Sequence, residues 1–367
     1  MSDYIFIVSL IILLPATTVT MYNLITAPTV RRKNVSDEYI GKISVLIPAR
    51  NEEKNIGDIL ELVCKQEYTD LEILVLDDHS TDKTSDIVSD FINKDKRVKL
   101  IEGEKLPNGW LGKNWACYQL SKAANGEYFL FIDADVKLVE SSISSIVYFR
   151  KKFKDFAMLS VFPTQIYRSL GEKLLVPLMN WILLSFLPLR YVFTKKNKSF
   201  IAANGQLIFI ERKSYNYIGG HEAVKNKVVE DMEIGRLIKC NGKKLVTAVG
   251  GDSIYCKMYD GFRSAYNGFS KNFFSGFNTS AFAFILMLIV IEIGFLLPIS
   301  GFLFNAKFLG LILLIILNRT FVSFISGQNF LLNLVLHPIQ MVLLFVVGIN
   351  SVIKFKAGKI EWKGRKI

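Results

Sequence analysis

Asp133 and Asp135 stand one residue apart in the run FLFIDADV (129–136), and they are the side chains with the clearest chemistry in this sequence. Two carboxylates at that spacing supply hard oxygen ligands for Mg²⁺ or Mn²⁺, and such an ion shares its remaining positions with phosphate oxygens. Two further acidic segments accompany them, ISVLIPARNEE (43–53) and LVLDDHSTDKT (74–84). Each of the three is a short β-branched and aromatic run that ends in polar or acidic residues. That is the pattern of a buried parallel strand whose carboxyl end opens into a ligand crevice. Three acidic strand ends predict a site for a cation and a phosphate, the chemistry of a nucleotide-diphosphate leaving group.

The elements that must hold these residues alternate. Over 42–139 the pattern predicts strand, helix, strand, helix, a basic loop containing Gly109 and Gly112, helix and strand. Such alternation specifies an α/β fold, a Rossmann-like, mostly parallel sheet with helices on both faces. A helix over 141–152 and strands over 157–163 and 205–210 follow. Then come a helix over 213–218, a GGH turn at 219–221, a helix over 230–240 and a strand over 244–249.

The chain of 367 residues has room for one such domain and for about a hundred residues more. The surplus reads as α-helical membrane segments. Residues 4–22 are uncharged and apolar for nineteen positions, and we read 1–30 as a retained N-terminal anchor. Arg31, Arg32 and Lys33 follow directly, which by the positive-inside bias places a catalytic domain over 40–257 in the cytoplasm, at the cell membrane. Within it, 174–193 carries two prolines and a polar middle, which suits an interfacial segment better than a spanning one. We expect an interfacial connector over 258–280, membrane helices over 281–353 and a basic cytoplasmic tail over 354–367. His337 and Pro338 interrupt the last apolar run, so that run is expected to bend back or lie partly in the interface. Glu292 and Arg319 fall at equal depth on either side of a turn near Asn305, and an interhelical ion pair is the expected arrangement.

The formal charge of +12 is concentrated at 31–33, 195–198 and 354–366, beside apolar runs, which points to an anionic membrane face and not to nucleic acid. Cys64, Cys117, Cys240 and Cys256 lie far apart, with no C-x-x-C and no metal-ligand spacing, and read as buried or inert thiols.

In this order, IPARNEE, DDHSTDKT, the DAD triplet and the VED of 229–231 resemble family 2 glycosyltransferases of the GT-A fold. The resemblance covers roughly 43–256. GWLGKNWACYQ (109–119), the GGH turn and EWKGR (361–365) are similar to the branch of that family associated with carotenoids and hopanoids. The resemblance implies a membrane-bound inverting enzyme that moves one sugar, expected to be glucose, from a UDP-sugar to a lipid acceptor of terpenoid type. A polyprenyl-phosphate sugar transferase is the alternative, and a non-catalytic sugar-nucleotide scaffold a further one.

The resemblance also implies roles. Pro48, Ala49, Arg50 and Glu52 form the loop that closes on the nucleotide, and Asp78 accepts the uracil imide N–H, although it also suits a helix cap. Lys113, in the basic loop, neutralises the diphosphate or is a solvated surface lysine. Asp133 serves ribose or metal, and Asp135 serves metal. Asp231 is the general base, with Glu230 beside it. Asn204, Gly205, His221, Arg263 and Lys271 are candidates for acceptor or diphosphate contacts. The Q-x-x-R-W motif of processive synthases is not found, which favours single-sugar transfer. An acid pair at Glu230 and Asp231 favours a hydroxyl acceptor over a carboxylate, because a carboxylate is already ionised near neutral pH and gains little from a base.

Overall fold

The computed structural model describes residues 2–33, 39–153, 156–358, 361–362 and 365–366. The chain divides into two compact units. One comprises Pro28–Thr164, Val192–Lys257 and Glu361–Ile367, and the other Met1–Ala27, Gln165–Tyr191 and Met258–Ile360. Of the EWKGR motif, Lys363 and Gly364 lie outside the described residues.

The first unit is built on strands β1 (Ile43–Ala49), β2 (Leu71–Asp77), β3 (Val98–Glu102), β4 (Tyr128–Ile132), β5 (Val136–Leu138), β6 (Met158–Phe162), β7 (Thr164–Gln165), β8 (Leu207–Glu211), β9 (Leu245–Val249) and β10 (Ile254–Cys256). Seven of them form one sheet in the order β3-β2-β1-β4-β8-β6-β9. Strands β1, β2 and β4 are almost wholly buried, as sheets covered by helices on both faces require. Strand β3 was not expected. Its sequence, VKLIE, is short and half polar because it is the sheet edge, with only Val98 buried.

Register decides which residues meet. Ala49 lies beside Asp77, so the segments leaving β1 and β2 run side by side. Strand β8 is antiparallel to β4, with Leu207 opposite Ile132, which brings the segment before β8 to the end where Asp133 follows β4. A smaller sheet has the order β5-β10-β7, and in it Cys256 pairs with Val136, next to Asp135. The sheet is mostly parallel as expected, the exception being β8.

Among the described residues of the second unit, four helices are long and apolar enough to cross a membrane: Asp3–Thr26, Ala281–Phe302, Ala306–Ser326 and His337–Lys356. The segment 174–193 is divided among short helices Leu170–Leu175, Pro177–Phe186 and Leu189–Thr194, and its breaks fall at the prolines. His337 and Pro338 also mark a break, but at the start of a helix of 20 residues, where proline at the first turn is tolerated. That helix does not bend back within its own length.

The expected Glu292–Arg319 ion pair is not formed. Both carboxylate oxygens of Glu292 are buried without a hydrogen-bond partner, and Arg319 turns instead to Asn333, Gln340 and the ring of Trp181. Equal depth on an antiparallel hairpin requires the two helices to be neighbours, and here Ala281–Phe295 and Leu309–Ser326 each pack mainly on the N-terminal helix Ser2–Thr26 and not on each other. The helix Ala281–Phe295 also ends at Leu296, ahead of Pro298.

Candidate active site

The segments after β1 and β2 are locked together. Arg50 donates through Nη1 to the Asp78 main-chain oxygen at 2.5 Å and lies 3.9 Å from its carboxylate, which is almost fully buried. Asn51 donates its main-chain N–H to Ser80 Oγ at 2.9 Å and accepts through Oδ1 from Thr81 N at 2.8 Å. Asn51 and His79 both adopt positive φ, at 52° and 54°, a conformation that Asn and His tolerate better than most residues. Asp82 accepts from Glu53 N, Thr84 N and Thr84 Oγ1, and so acts as a tie between the loops.

Beyond them, three charged groups, Lys113, Glu230 and Asp231, converge on Gly205, and Asp133 pairs with the first. Lys113 Nζ lies 2.8 Å from Asp133 Oδ1 and 3.4 Å from Glu230 Oε1. Burial alone would lower the ammonium, but the two carboxylates outweigh it and hold Lys113 well above its ordinary range. Asp231 receives one main-chain N–H on each oxygen, from Gly205 to Oδ2 and from Met232 to Oδ1, both at 2.7 Å. Burial and the neighbouring Glu230 nevertheless push Asp231 up to about 7. A Cβ at Gly205 would sit 3.1 Å from Lys113 Nζ, 3.2 Å from Glu230 Oε1 and 3.5 Å from Asp231 Oδ2. Only glycine leaves that junction open.

Asp135 is held from the other side. Its carboxylate accepts from the Cys256 thiol, whose sulfur accepts from Gln206 Nε2 at 2.9 Å, and Gln206 Oε1 accepts from Asn204 Nδ2 at 3.0 Å. Burial, followed by the Asp133 and Glu52 carboxylates, pushes Asp135 up to about 7, and one of its oxygens is buried without a hydrogen-bond partner. An orphaned carboxylate oxygen in a cluster of like charges fits a divalent cation. Among the described residues no three His, Cys, Asp or Glu side chains are already gathered as a metal cage. Substrate phosphates would have to complete the coordination, as is usual for Mg²⁺ at nucleotide sites.

Several residues lie where the sequence did not put them. Pro48 and Ala49 belong to β1 itself and not to the loop after it. Lys113 is in the first turn of the helix Gly112–Ala123, engaged with carboxylates. His221 is 2 % exposed, with Nδ1 at 2.8 Å from the Tyr215 hydroxyl and its ring against Phe131. Burial, with Lys113 nearby, pushes it down to about 3, so it is a neutral core group in this arrangement. Arg263 and Lys271 are on the helix Gly261–Phe277 of the second unit, Arg263 exposed and Lys271 partly so. Gln206 and Cys256 were missed as site residues. They are 50 positions apart in the chain, and only the pairing of β10 with β5 brings the thiol to Asp135.

Residues 44–211 match the family model described as Glycosyl transferase family 2. The chain is 26 % identical over 275 residues to a 4,4'-diaponeurosporenoate glycosyltransferase of Staphylococcus haemolyticus, covering 73 % of this chain and 71 % of that protein. A protein of the same name from Staphylococcus aureus is 24 % identical over 339 residues, 88 % of each chain. Among solved structures, the mannosyltransferase PcManGT from Pyrobaculum calidifontis, in complex with GDP-Man and Mn²⁺, has a TM-score of 0.55 at 15 % identity. The match covers 96 % of this chain and 98 % of that one, and it shows a common GT-A fold.

Proposed function

We propose that this glycosyltransferase, whose family 2 domain spans residues 44–211, moves one sugar with inversion from a UDP-sugar to a membrane-borne terpenoid acceptor. The observation that carries the reading is the pairing of an orphaned, cation-demanding carboxylate at Asp135 with a separately oriented carboxylate at Asp231. The named staphylococcal relatives support a carotenoid-like acceptor, and the four long apolar helices support a multi-pass membrane location. Glucose remains the proposed sugar, and a cytoplasmic face the proposed side.

In this reading the loop of Arg50 and Glu52 closes over the nucleotide, and Asp78 accepts from the uracil imide. Asp133 and Asp135 would hold Mg²⁺ or Mn²⁺, which when bound offsets the charge of the departing diphosphate. Lys113, held between Asp133 and Glu230, would add its charge to that neutralisation. The acceptor oxygen attacks the anomeric carbon from the face opposite the diphosphate, a C–O bond forms, and the bond to the diphosphate oxygen breaks. Asp231 takes the proton of a hydroxyl acceptor. Its two N–H donors fix the carboxylate plane yet leave a lone pair on each oxygen, and a proton affinity near neutrality suits a base. Glu230 holds Lys113 in place.

A carboxylate acceptor, which the relatives' name favours, needs no proton removed. Asp231 in its protonated form, which burial and Glu230 favour, would then donate a hydrogen bond to the acceptor carboxylate, and the donor half would be unchanged. Turnover of a donor panel by purified protein tests the proposal: UDP-sugars should be consumed with Mg²⁺ or Mn²⁺ and stop with EDTA. Turnover of GDP-sugars alone would refute the assignment of Asp78 to uracil.

A further inference from the structure

We propose that the helical unit contains an internal site for a lipid with one apolar chain and a singly charged anionic head, with Arg319 as the counter-charge. Arg319 is 1 % exposed and lies within the helix Leu309–Ser326. Its Nη2 donates to the Asn333 main-chain oxygen at 3.4 Å and to Gln340 Oε1, and the guanidinium lies 5.7 Å from the centre of the Trp181 ring. Its Nε and Nη1 are buried and have no hydrogen-bond partner. Glu292, the acidic residue placed at the same depth by sequence, does not supply one.

A guanidinium carries five N–H donors and a fixed charge, so the groups it meets here leave three donors and the charge itself unanswered. Ring and amide contacts stabilise a cation far less than a carboxylate or phosphodiester does, and an uncompensated charge in an apolar helical bundle is costly. One anionic oxygen group would satisfy both deficits.

The space beside it is apolar. An apolar pocket, open on one side, is lined by Leu175, Leu178, Ile182, Phe269, Leu344 and Val347 among others. Gln340 connects the two regions: it accepts from Arg319 and donates to the Lys173 main-chain oxygen at 2.9 Å, two residues before Leu175. Leu344 and Val347 follow Gln340 one and two turns along the same helix face, and Leu178 and Ile182 flank Trp181. Charge and apolar space therefore adjoin, which fits a head and chain in one molecule and not a free anion. The site stands whether or not that lipid is also the sugar acceptor.

The test is binding of radiolabelled oleate to the full chain in phosphatidylcholine nanodiscs, with methyl oleate as the uncharged control and oleoyl-lysophosphatidylglycerol as the phosphodiester arm. Saturable binding of oleate or the lysolipid, at least tenfold tighter than methyl oleate and lost in Arg319→Gln, is the expected result. The tighter of the two anions identifies the head. Leu344→Trp, which fills the cavity and leaves Arg319 intact, should also abolish it. Thermal stabilisation of the unaltered protein by oleate but not methyl oleate gives a readout independent of how the variants fold. Equal binding of methyl oleate, undiminished binding in Arg319→Gln, or no binding of either anion would overturn the proposal.

Discussion

The main-chain N–H of Gly205 reaches Asp231 Oδ2 at 2.7 Å, across 26 residues of sequence. The same short segment, through Gln206 and Cys256, holds Asp135. Residues 204–206 therefore set the positions of both carboxylates on which the proposed transfer depends. Replacing Gly205 by Ala puts a methyl group 3.1 Å from Lys113 Nζ and 3.2 Å from Glu230 Oε1, tighter than ordinary contact. Both neighbours are side-chain ends that can retreat, so Gly205→Ala should fold with an unchanged melting temperature while kcat falls roughly tenfold or more, as small displacements at reacting groups do. Steady-state kinetics beside a melting curve checks it.

With a hydroxyl acceptor, the profile of kcat/KM against pH should rise through about 7 and level off above it, because Asp231 must be ionised to accept a proton. The sign for stability is opposite. A carboxyl raised in the folded state keeps its proton there when the unfolded chain has lost it, so Asp231 should lower stability as pH climbs from about 4 to 7. In Asp231→Asn the activity limb should vanish along with transfer to alcohols, and the stability of the variant should depend less on pH over that interval. If transfer to an acid acceptor survives in the same variant, the carboxylate acts as a base for hydroxyls only.

Lys113 lies between Asp133 and Glu230, and Lys113→Met leaves both carboxylates without it. Fully buried pairs lose about 3–5 kcal/mol when one partner is removed, and because these side chains are partly exposed a loss on the order of 2 kcal/mol is expected. Chemical denaturation measures it. Donor affinity should weaken as well, since the vacated position faces the proposed diphosphate.

The strand ends that carry Asp78, Asp133 and Asp135 were legible in the sequence because a buried parallel strand is a continuous apolar run with an abrupt polar end. The helix Glu230–Cys240 was legible for a similar reason, with acidic residues in its first turn. What escaped depended on distance and rotation. Strand β3 has too little apolar content to declare itself, because an edge strand is only half covered. The Cys256 thiol read as inert, since spacing along the chain says nothing about a partner brought in by sheet pairing. Glu292 and Arg319 share a depth by counting from a turn, but the count cannot show that their helices each pack on Ser2–Thr26 and not on each other.

Cys256→Ala removes the donor on Asp135 and the acceptor for Gln206. Loss of a group that orients a metal ligand commonly costs about 10–100-fold in metal affinity. Titration with Mn²⁺, followed by the electron paramagnetic resonance signal of the free ion, should show a loss of at least tenfold in Cys256→Ala. Cys256→Ser, which retains a donor and an acceptor, should recover most of it.

In the helical unit Asn318 is fully buried. Its Oδ1 accepts from Trp181 Nε1 at 2.8 Å, and its Nδ2 donates to Thr20 Oγ1 at 2.8 Å. Asn318→Ala strands the indole N–H, and a buried donor left unpaired costs about 1–3 kcal/mol. The variant should melt at a lower temperature in detergent or nanodiscs, and double substitution with Trp181→Phe should cost less than the sum of the two single changes.

The mass spectrum of the lipid product is the most direct measurement of the central claim. Purified protein in nanodiscs would be given UDP-glucose and Mn²⁺, with a terpenoid alcohol and the corresponding terpenoid acid in parallel. The account predicts a product heavier by one hexose residue, never a polymer, formed by the unaltered chain and lost with Asp135→Asn. A polymeric product, or undiminished transfer by Asp135→Asn, would contradict it.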